Sequence, residues 1–356
     1  MTGSFDQLEA ANAMIAKGMQ FAPEIGGPVL AASTINLSLH RYPAARRYLD
    51  SYDQFVVTQG PVEEAEVLGQ KGEIAFYSGD YQSARDLYAK ARALDPSVNA
   101  IFREATWQKY LGAFDQAIAL YQQGALTGRA RSPEMLATYH LQIGALELQR
   151  GNWELARDYF ERADTLFPGH WLAQAHVAQM QAVSGERAQA KATYRRIIER
   201  TNSPDVMMAL ANVLAFEGDS RGAGALRSQA AKLFALRLKV FPEAYADHAA
   251  DLAVTIGDDQ RALELAKTNF RARPFGDAAI ALARAQVATG DPKAAIALLQ
   301  KVNRSGWQSV EQHIVLSDAY AAIGDDAQSA NYRQMALARN PKALEPEASM
   351  LAFGNH

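Results

Sequence analysis

Apolar residues recur along the chain at the spacing of an α-helix. In the segment 156–167 the steps between them are three, one, three, three and one residues, and the segment 84–94 begins with the same steps. Because an α-helix has about 3.6 residues per turn, these steps place the apolar side chains on one face. The pattern predicts amphipathic helices that bury this face against a neighbour. The apolar positions are Ala156, Tyr159, Phe160, Ala163, Leu166 and Phe167 in the first segment and Ala84, Leu87, Tyr88, Ala91 and Leu94 in the second.

The two segments belong to a longer repeat. Residues 79–96 read GDYQSARDLYAKARALDP and residues 151–168 read GNWELARDYFERADTLFP, with Gly, an aromatic residue, Ala and Pro at the same offsets. The initial glycine recurs with spacings of 33, 39, 34, 33, 39, 33 and 34 residues. A period near 34, with two insertions of about five residues, is typical of a stacked array of helical hairpins. The eight marker glycines are Gly79, Gly112, Gly151, Gly185, Gly218, Gly257, Gly290 and Gly324.

Each marker glycine is predicted to lie at the turn between two helices. Glycine tolerates the left-handed conformation that ends a helix. The next residue is Asp or Asn in six of the eight copies, and such side chains cap the free N–H groups of a starting helix. Pro292, directly after Asp291, suits the first turn of the second helix.

Two positions in every unit carry only small side chains, which lets the two helices approach closely where ridges pack into grooves. Five residues after the glycine stand Ala84, Ala117, Ala156, Ala190, Ala223, Ala262, Ala295 and Ser329. Seven residues before it stand Gly72, Ala105, Gly144, Ala178, Ala211, Ala250, Ala283 and Ser317.

In its marker glycines and small positions the chain resembles the tetratricopeptide-repeat family over roughly residues 26–341. The resemblance implies an all-α fold, an α-α superhelix or solenoid of about eight to nine helix-turn-helix repeats. The ninth and weaker unit is upstream, where His40 stands in the place of the glycine. The family aromatic of the second helix is present as Tyr88, Tyr121, Phe160 and Tyr194, but Arg227, Ala266, Leu299 and Arg333 replace it in later units.

The ends and the insertions complete the predicted domain organisation. Residues 1–25 are expected to cap the open end with an amphipathic helix, and residues 342–356 to form a tail that is partly ordered at best. The stacking angle is expected to change near residues 125–135, where an irregular connector is predicted, and near residues 235–243. After Gly218 no turn signal appears before Pro242, which predicts an extended second helix.

Composition narrows the function classes. The 356 residues carry a formal net charge of -3 and no cysteine, which excludes thiol nucleophiles and disulfides. A chain without a basic field is not expected to bind nucleic acid, and no stretch approaches the 18 apolar residues of a membrane span. A soluble protein is predicted, and the start of the chain shows no signal peptide; cytoplasmic, periplasmic and secreted locations stay open.

Motifs for chemistry are weak. The sequence holds no phosphate loop, no HExxH and no GxSxG, so no enzyme and no cofactor is predicted. Asp247, His248 and Asp251 offer a metal site as a lesser alternative, because a histidine between surface carboxylates usually binds water or a partner. His140 and His313 are expected to be partly buried core residues.

The resemblance places the candidate binding residues on the first helices, which line the concave groove in that family. The early wall, from Glu73 to Tyr110, mixes aromatic and basic side chains and suits apolar anchors and a carboxylate. The middle wall runs from Gln142 to Phe216. The late wall, from Asp247 to Asp318, is chiefly acidic. The alternative is that the charges only hydrate the groove while the aromatics pack on adjacent helices. The candidates are Glu73, Tyr77, Phe102, Arg103, Lys109, Tyr110, Gln142, His176, Gln179, Asn212, Phe216, Asp247, His248, Asp251, Arg284 and Asp318.

The sequence therefore favours a non-catalytic adaptor that binds a protein or peptide in its groove. The alternative from another class is a structural protein that assembles with itself into a homo-oligomer through an open end of the stack. The identity of the partner is left open.

Overall fold

The helical prediction is confirmed by a computed structural model, which describes residues 5–21, 26–52, 60–126 and 132–353. Over these ranges the chain forms helices and no strand. The α-helices are α1 (Phe5–Phe21), α2 (Gly26–Ser38), α3 (Tyr42–Tyr52), α4 (Pro61–Tyr77), α5 (Tyr81–Leu94), α6 (Val98–Tyr110), α7 (Phe114–Leu126), α8 (Pro133–Gln149), α9 (Trp153–Leu166), α10 (Trp171–Val183), α11 (Arg187–Thr201), α12 (Pro204–Phe216), α13 (Ser220–Val240), α14 (Pro242–Thr255), α15 (Asp259–Ala272), α16 (Gly276–Ala288), α17 (Pro292–Arg304), α18 (Val310–Ala322) and α19 (Asp326–Arg339), followed by the 3₁₀ helix η1 (Pro346–Met350).

Consecutive helices pack as pairs, and the pairs stack on one another. In the described ranges α2 to α19 make nine such pairs, from α2 with α3 to α18 with α19. This agrees with about eight to nine repeats. Each pair also contacts the first helix of the next pair, as α9 does with α10. The result is the predicted helical solenoid.

The turn inside each pair has the predicted conformation. All eight marker glycines have positive φ angles, between 72° at Gly112 and 90° at Gly185. In the weaker first pair His40 has a φ of 57°, so a histidine adopts the left-handed conformation where the other units use glycine. The 39-residue offset of His40 from Gly79 is therefore a true repeat relationship.

The acidic caps follow the prediction in five units. Asp80, for example, accepts a hydrogen bond from the backbone N–H of Ser83, and the same contact is made at the start of α13, α15, α17 and α19. Asn152 differs, because its side-chain amide donates to Glu147 Oε2 at 2.7 Å and caps no backbone group of α9. Each real cap satisfies an N–H group that the helix leaves unpaired.

The small positions do permit close packing between the helices of a pair. A methyl group added at Gly144 of α8 would lie 2.6 Å from the ring of Phe160 on α9. Gly72 stands in the same relation to Tyr88, with 2.6 Å to that ring. The aromatic ring of the second helix thus occupies the space that a larger residue would need.

A matched pair of glycine substitutions tests this packing. Gly144→Ala is expected to lower the free energy of unfolding by about 1–3 kcal/mol, since the buried Phe160 ring has to move. Gly224→Ala is expected to raise it by about 0.5–1 kcal/mol, because Gly224 is an exposed helical glycine with no atom within 4 Å of the added methyl group. Urea unfolding measures both; a stabilising Gly144→Ala would contradict the packing described.

Repeats that are distant in the chain pack against each other, so the later part of the superhelix contacts its own earlier turn. Trp307, between α17 and α18, stacks on Tyr110 of α6 with ring centroids 4.3 Å apart. The hydroxyl of Tyr81 accepts a hydrogen bond from the backbone N–H of Gly276 at 2.9 Å. Phe275 lies with its ring centroid 5.0 Å from that of Tyr77. An aromatic cluster therefore joins the second and third helix pairs of the array to helices near its C-terminal end.

A second junction joins the turn between α2 and α3 to α14. Arg41 pairs with Glu243 at 3.4 Å, and its guanidinium donates to the carbonyl of Val240 at 3.0 Å. The ring of Phe5 on α1 packs on Phe241 with centroids 5.6 Å apart. The predicted N-terminal capping helix, of which residues 1–4 and 22–25 lie outside the described part, thus contacts the later repeats as well.

The C-terminal segment differs from its prediction of partial order. Within the described residues 342–353, Met350 is fully buried and Phe353 is 2% exposed. The 3₁₀ helix packs against α10 and α12. Residues 354–356 lie outside the described residues. Apolar side chains at 350 and 353 supply the burial that the end of the chain was expected to lack.

The two insertions have different outcomes. After Gly218 the second helix runs for 21 residues as α13, which confirms the predicted extension. The predicted connector at 125–135 falls partly on residues 127–131, which lie outside the described residues. The changes of stacking angle near both insertions stay predictions.

Candidate functional site

Two neighbouring cavities open inside the closed superhelix. The larger has a volume of about 790 Å³ and the smaller one of about 420 Å³. Both are lined by His248, Asp251, Arg284 and Ala352, so they adjoin at these residues. The interior of the superhelix is therefore the candidate functional site.

The first helices of the late repeats supply the charged residues of this site. Pro242 starts α14 at its first position, and Asp247 and Asp251 follow one helical turn apart. This spacing places both carboxylates on the same face of α14. Asp205 near the start of α12 and Arg284 on α16 face the cavities from either side. The predicted late-wall residues are thus brought together, except for Asp318.

His248 is held between carboxylates. Its Nδ1 lies 2.8 Å from Asp205 Oδ1, and its Nε2 lies 3.7 Å from Asp247 Oδ1. Burial by itself lowers the pKa of His248, but the neighbouring Asp247 and Asp205 carboxylates outweigh it and raise the pKa to about 10. The imidazole is therefore a fixed cation at neutral pH rather than an acceptor for protons.

Asp247 and Arg273 form the most buried ion pair of the site. Arg273 Nη2 contacts Asp247 Oδ2, and the Arg273 side chain also donates to Asn269 Oδ1 at 2.7 Å. Burial opposes ionisation of Asp247, but the charges of His248 and Arg273 lower its pKa to about 2. The carboxylate stays charged at neutral pH because two cations surround it.

His40 approaches the same pair from the other end of the chain. Its Nε2 lies 3.2 Å from Arg273 Nη1, and its Nδ1 lies 3.2 Å from the carbonyl oxygen of Glu243. Burial, and then the charge of Arg273, lower the pKa of His40 to about 4. His40 is therefore a neutral residue of the junction that lines the smaller cavity.

The remaining charges of the smaller cavity come from Asp277 and Glu311. Burial and the nearby Glu311 carboxylate raise the pKa of Asp277 to about 7, against the lowering effect of Lys109. Lys109 is 3% exposed, and burial lowers its pKa to about 8. Burial therefore works against the ionisation of both Asp277 and Lys109 at this end of the interior.

Apolar side chains form most of the larger cavity beyond the charges. They come from α1, α10, α12, α13 and the C-terminal segment. The site thus combines an apolar surface with ionised groups at the point where the cavities adjoin. The main apolar lining residues are Phe5, Leu8, Trp171, Met208, Phe234 and Phe353.

The predicted early-wall side chains make contacts with other residues of the fold. Arg103 bonds to Glu73 Oε1 at 2.7 Å and to both carboxylate oxygens of Glu66. The ring of Phe102 lies 5.3 Å from that of Tyr121. Tyr77 and Tyr110 belong to the aromatic cluster of the closing junction, although both also line the smaller cavity. Their role in binding a partner stays a prediction.

Of the middle-wall residues, one lines the larger cavity and the others pack within the fold. Gln142 accepts a hydrogen bond from the Tyr121 hydroxyl at 3.5 Å. The guanidinium of Arg187 lies over the ring of Phe216, with its Cζ 4.8 Å from the ring centroid. Asn212 lines the larger cavity. His176 and Gln179 are buried under the C-terminal segment.

The sequence reasoning missed several residues of the site. Asp205 escaped notice because its position after Ser203 and Pro204 marks it as a helix-start residue. Arg273 ends the second helix α15, and that set of helices was not expected to face the groove. The C-terminal segment carried no repeat signal. The apolar run at 350–353, which reads MLAF, was the one signal that it packs.

The metal alternative finds no support in the described ranges, where no group of three His, Asp or Glu side chains is placed to hold an ion. His248 is paired with Asp205 instead. His313 is 1% exposed, as expected of a core residue. Among the helices described, none has the length and apolar character needed to cross a bilayer.

Comparison with known proteins supports the repeat architecture. The family model described as Tetratricopeptide repeat matches residues 65–98, which span most of α4 and all of α5. No curated protein matches the sequence. The solved structure of a Rap protein complexed with Competence and Sporulation Factor is similar with a TM-score of 0.53 at 9% identity, covering 90% of this chain and 99% of that chain. The structure of the APC/C hetero-tetramer Cut9-Hcn1 aligns with a TM-score of 0.39 at 13% identity, covering 96% of this chain and 86% of that one. The chain carries a tetratricopeptide repeat at residues 65–98, and in its stacked helix pairs it resembles the tetratricopeptide-repeat family.

Proposed function

We propose that this protein is a non-catalytic scaffold that holds a short, extended segment of a partner protein inside its superhelix. The observation that carries the proposal is the larger cavity, where an apolar wall ends at the acidic and basic side chains of Asp205, His248, Asp251 and Arg284. Such a surface suits a peptide with an apolar side chain and a polar backbone or charged group beside it.

The size of the site favours a short segment. A volume of about 790 Å³ lies within the roughly 300–1,000 Å³ of pockets that enclose small ligands. A folded partner would need a surface of about 800 Å² per side, and the closed interior does not offer such a face. The similar Rap protein was solved in complex with Competence and Sporulation Factor, a precedent for ligand binding on this kind of fold.

The electrostatics argue against acid–base catalysis at His248. A general base works best with a pKa near the operating pH, whereas the Asp247 and Asp205 carboxylates raise the pKa of His248 to about 10. The imidazole is also engaged with Asp205 at 2.8 Å. A fixed cation of this kind orients a ligand rather than moving its protons.

A binding experiment on the full chain tests the proposal. Peptides selected from a random display library by the purified protein would be synthesised, and their affinities measured by calorimetry. Arg284→Glu is expected to weaken binding at least tenfold, because it reverses the charge where the two cavities adjoin. The matched control is Arg261→Glu on the outer helix α15, where Arg261 is half exposed; its effect should stay below about twofold, as for an exposed charge.

The proposal fails if no peptide is enriched, or if Arg284→Glu and Arg261→Glu weaken the selected peptides equally. Circular dichroism of both variants establishes that the helices are retained. A stoichiometry of one peptide per chain is expected for a single interior site.

A further inference from the structure

The C-terminal segment is bound by the solenoid as a ligand would be. Gln179 on α10 is fully buried, and its side-chain amide forms hydrogen bonds with the backbone of this segment. Gln179 Oε1 accepts hydrogen bonds from the N–H groups of Ala352 at 2.7 Å and Phe353 at 2.8 Å. Gln179 Nε2 donates to the carbonyl oxygen of Phe353 at 2.9 Å. One side chain thus satisfies three backbone groups of an extended segment.

Two apolar side chains anchor the same segment. Phe353 packs edge-on against His176 with centroids 5.7 Å apart, and His176 stacks on Phe160 at 4.2 Å. Met350, three residues earlier, is fully buried in the core cluster around α10 and α12. Backbone bonds with anchors at two side-chain positions are the usual way in which a groove binds an extended peptide.

The segment lies in the candidate site itself. Leu351, Ala352 and Phe353 line the larger cavity, and Ala352 also lines the smaller one. The bound segment therefore supplies part of the wall of the larger cavity and, through Ala352, part of the boundary between the two cavities. Its departure would join them and expose the Gln179 amide, the His176 ring and the pocket of Phe353 to an incoming peptide.

We propose that residues 346–353 are a displaceable internal ligand, and that the partner presents an extended segment with an aromatic side chain that replaces Phe353 on Gln179 and His176. This inference rests on the proposed function, because it concerns access to the same interior. The tether gives the internal segment an effective concentration on the order of millimolar. A partner segment must bind strongly enough to compete with this effective concentration. The internal segment therefore excludes weak ligands.

The test uses the chain's own segment as the probe. A fluorescein-labelled peptide of sequence PEASMLAF, which corresponds to residues 346–353, is titrated with the full-length protein and followed by fluorescence anisotropy. Phe353→Ala weakens the internal segment without altering its receptor, so the peptide is expected to bind this variant at least tenfold more tightly than the wild type. Adding Gln179→Ala to Phe353→Ala removes the receptor amide and should lower that affinity at least tenfold again.

Leu344→Ala provides the matched control. Leu344 is 38% exposed, in the turn before η1, so this variant should bind the peptide as the wild type does. Equal affinities of the wild type and Phe353→Ala would overturn the proposal, as would the absence of binding to Phe353→Ala. Circular dichroism shows whether each variant is folded.

Hydrogen exchange on the wild-type chain gives a second measurement that needs no variant. The amides of Ala352 and Phe353 are expected to exchange at least 100-fold faster than core amides of α12, because a displaceable segment opens without global unfolding. Exchange of both sets at the same rate would overturn the proposal and identify the segment as permanent core. Failure here leaves the cavity test with Arg284→Glu unaffected, since that test uses peptides from a library and a different residue.

Discussion

Trp307→Ala is expected to open the superhelix and to lower the free energy of unfolding by about 3–5 kcal/mol, as large-to-small substitutions of buried aromatics do. Trp307 is 2% exposed and stacks on Tyr110 at 4.3 Å. It also lies 5.8 Å from the ring of Phe275 and 5.7 Å from that of Tyr81. Its removal takes away the centre of the cluster that joins the early repeats to the late ones.

Two measurements separate opening from simple loss of stability. Denaturant unfolding reports the free energy, and small-angle X-ray scattering reports the radius of gyration of the folded chain. The control is Tyr194→Ala, in which a fully buried tyrosine of α11 is removed from the core cluster around α10, away from this junction. Tyr194→Ala should lower stability without enlarging the molecule. An unchanged radius in Trp307→Ala would show that the closure does not depend on this cluster.

Asp247→Asn is expected to lower the free energy of unfolding by about 3–5 kcal/mol, because removal of one partner from a buried ion pair leaves an uncompensated charge. Arg273 is 7% exposed, and Asp247 is the carboxylate it contacts most closely. His248 would keep only Asp205 as its hydrogen-bonded acid. The control is Glu264→Gln in the exposed pair of Arg261 and Glu264, where a change within about 0.5 kcal/mol is expected.

The loss of stability in Asp247→Asn is expected to depend on pH. The pKa of Asp247 falls from its ordinary value of 3.8 to about 2 on folding, so its stabilisation is present above pH 3.8 and is lost as the pH falls towards 2. The pKa of His248 rises from 6.5 to about 10, so that its contribution is complete below pH 6.5 and is lost as the pH rises through 10. The difference between wild type and Asp247→Asn should thus be largest between about pH 4 and 6.5. A difference independent of pH from 4 to 10 would contradict the charge network.

The repeat units could be predicted because each is built from contacts within about 34 residues. The small residue at 144, for example, faces the ring at 160, and Asp80 caps an N–H three residues away. Signals of this kind repeat in the sequence and can be counted. The clustering of Asp247, His248 and Asp251 could also be predicted, since one helix carries all three.

Contacts between distant repeats could not be predicted in the same way. Gln179 and Phe353 are 174 residues apart, and Tyr81 and Gly276 are 195 apart. Each of these pairs involves residues that look ordinary in their own unit, such as a polar groove residue or an aromatic after a turn. Nothing in their spacing indicates that they meet.

The sequence by itself determined the helix pairs, their turns and their caps. The tertiary structure decided that the inner face of the early repeats packs against the late ones, that Arg273 and His40 join the charged site, and that the C-terminal segment lies on Gln179. The physical reason is that a small rotation between neighbouring repeats accumulates along a solenoid. Which distant repeats meet depends on the sum of these rotations, which no single unit encodes.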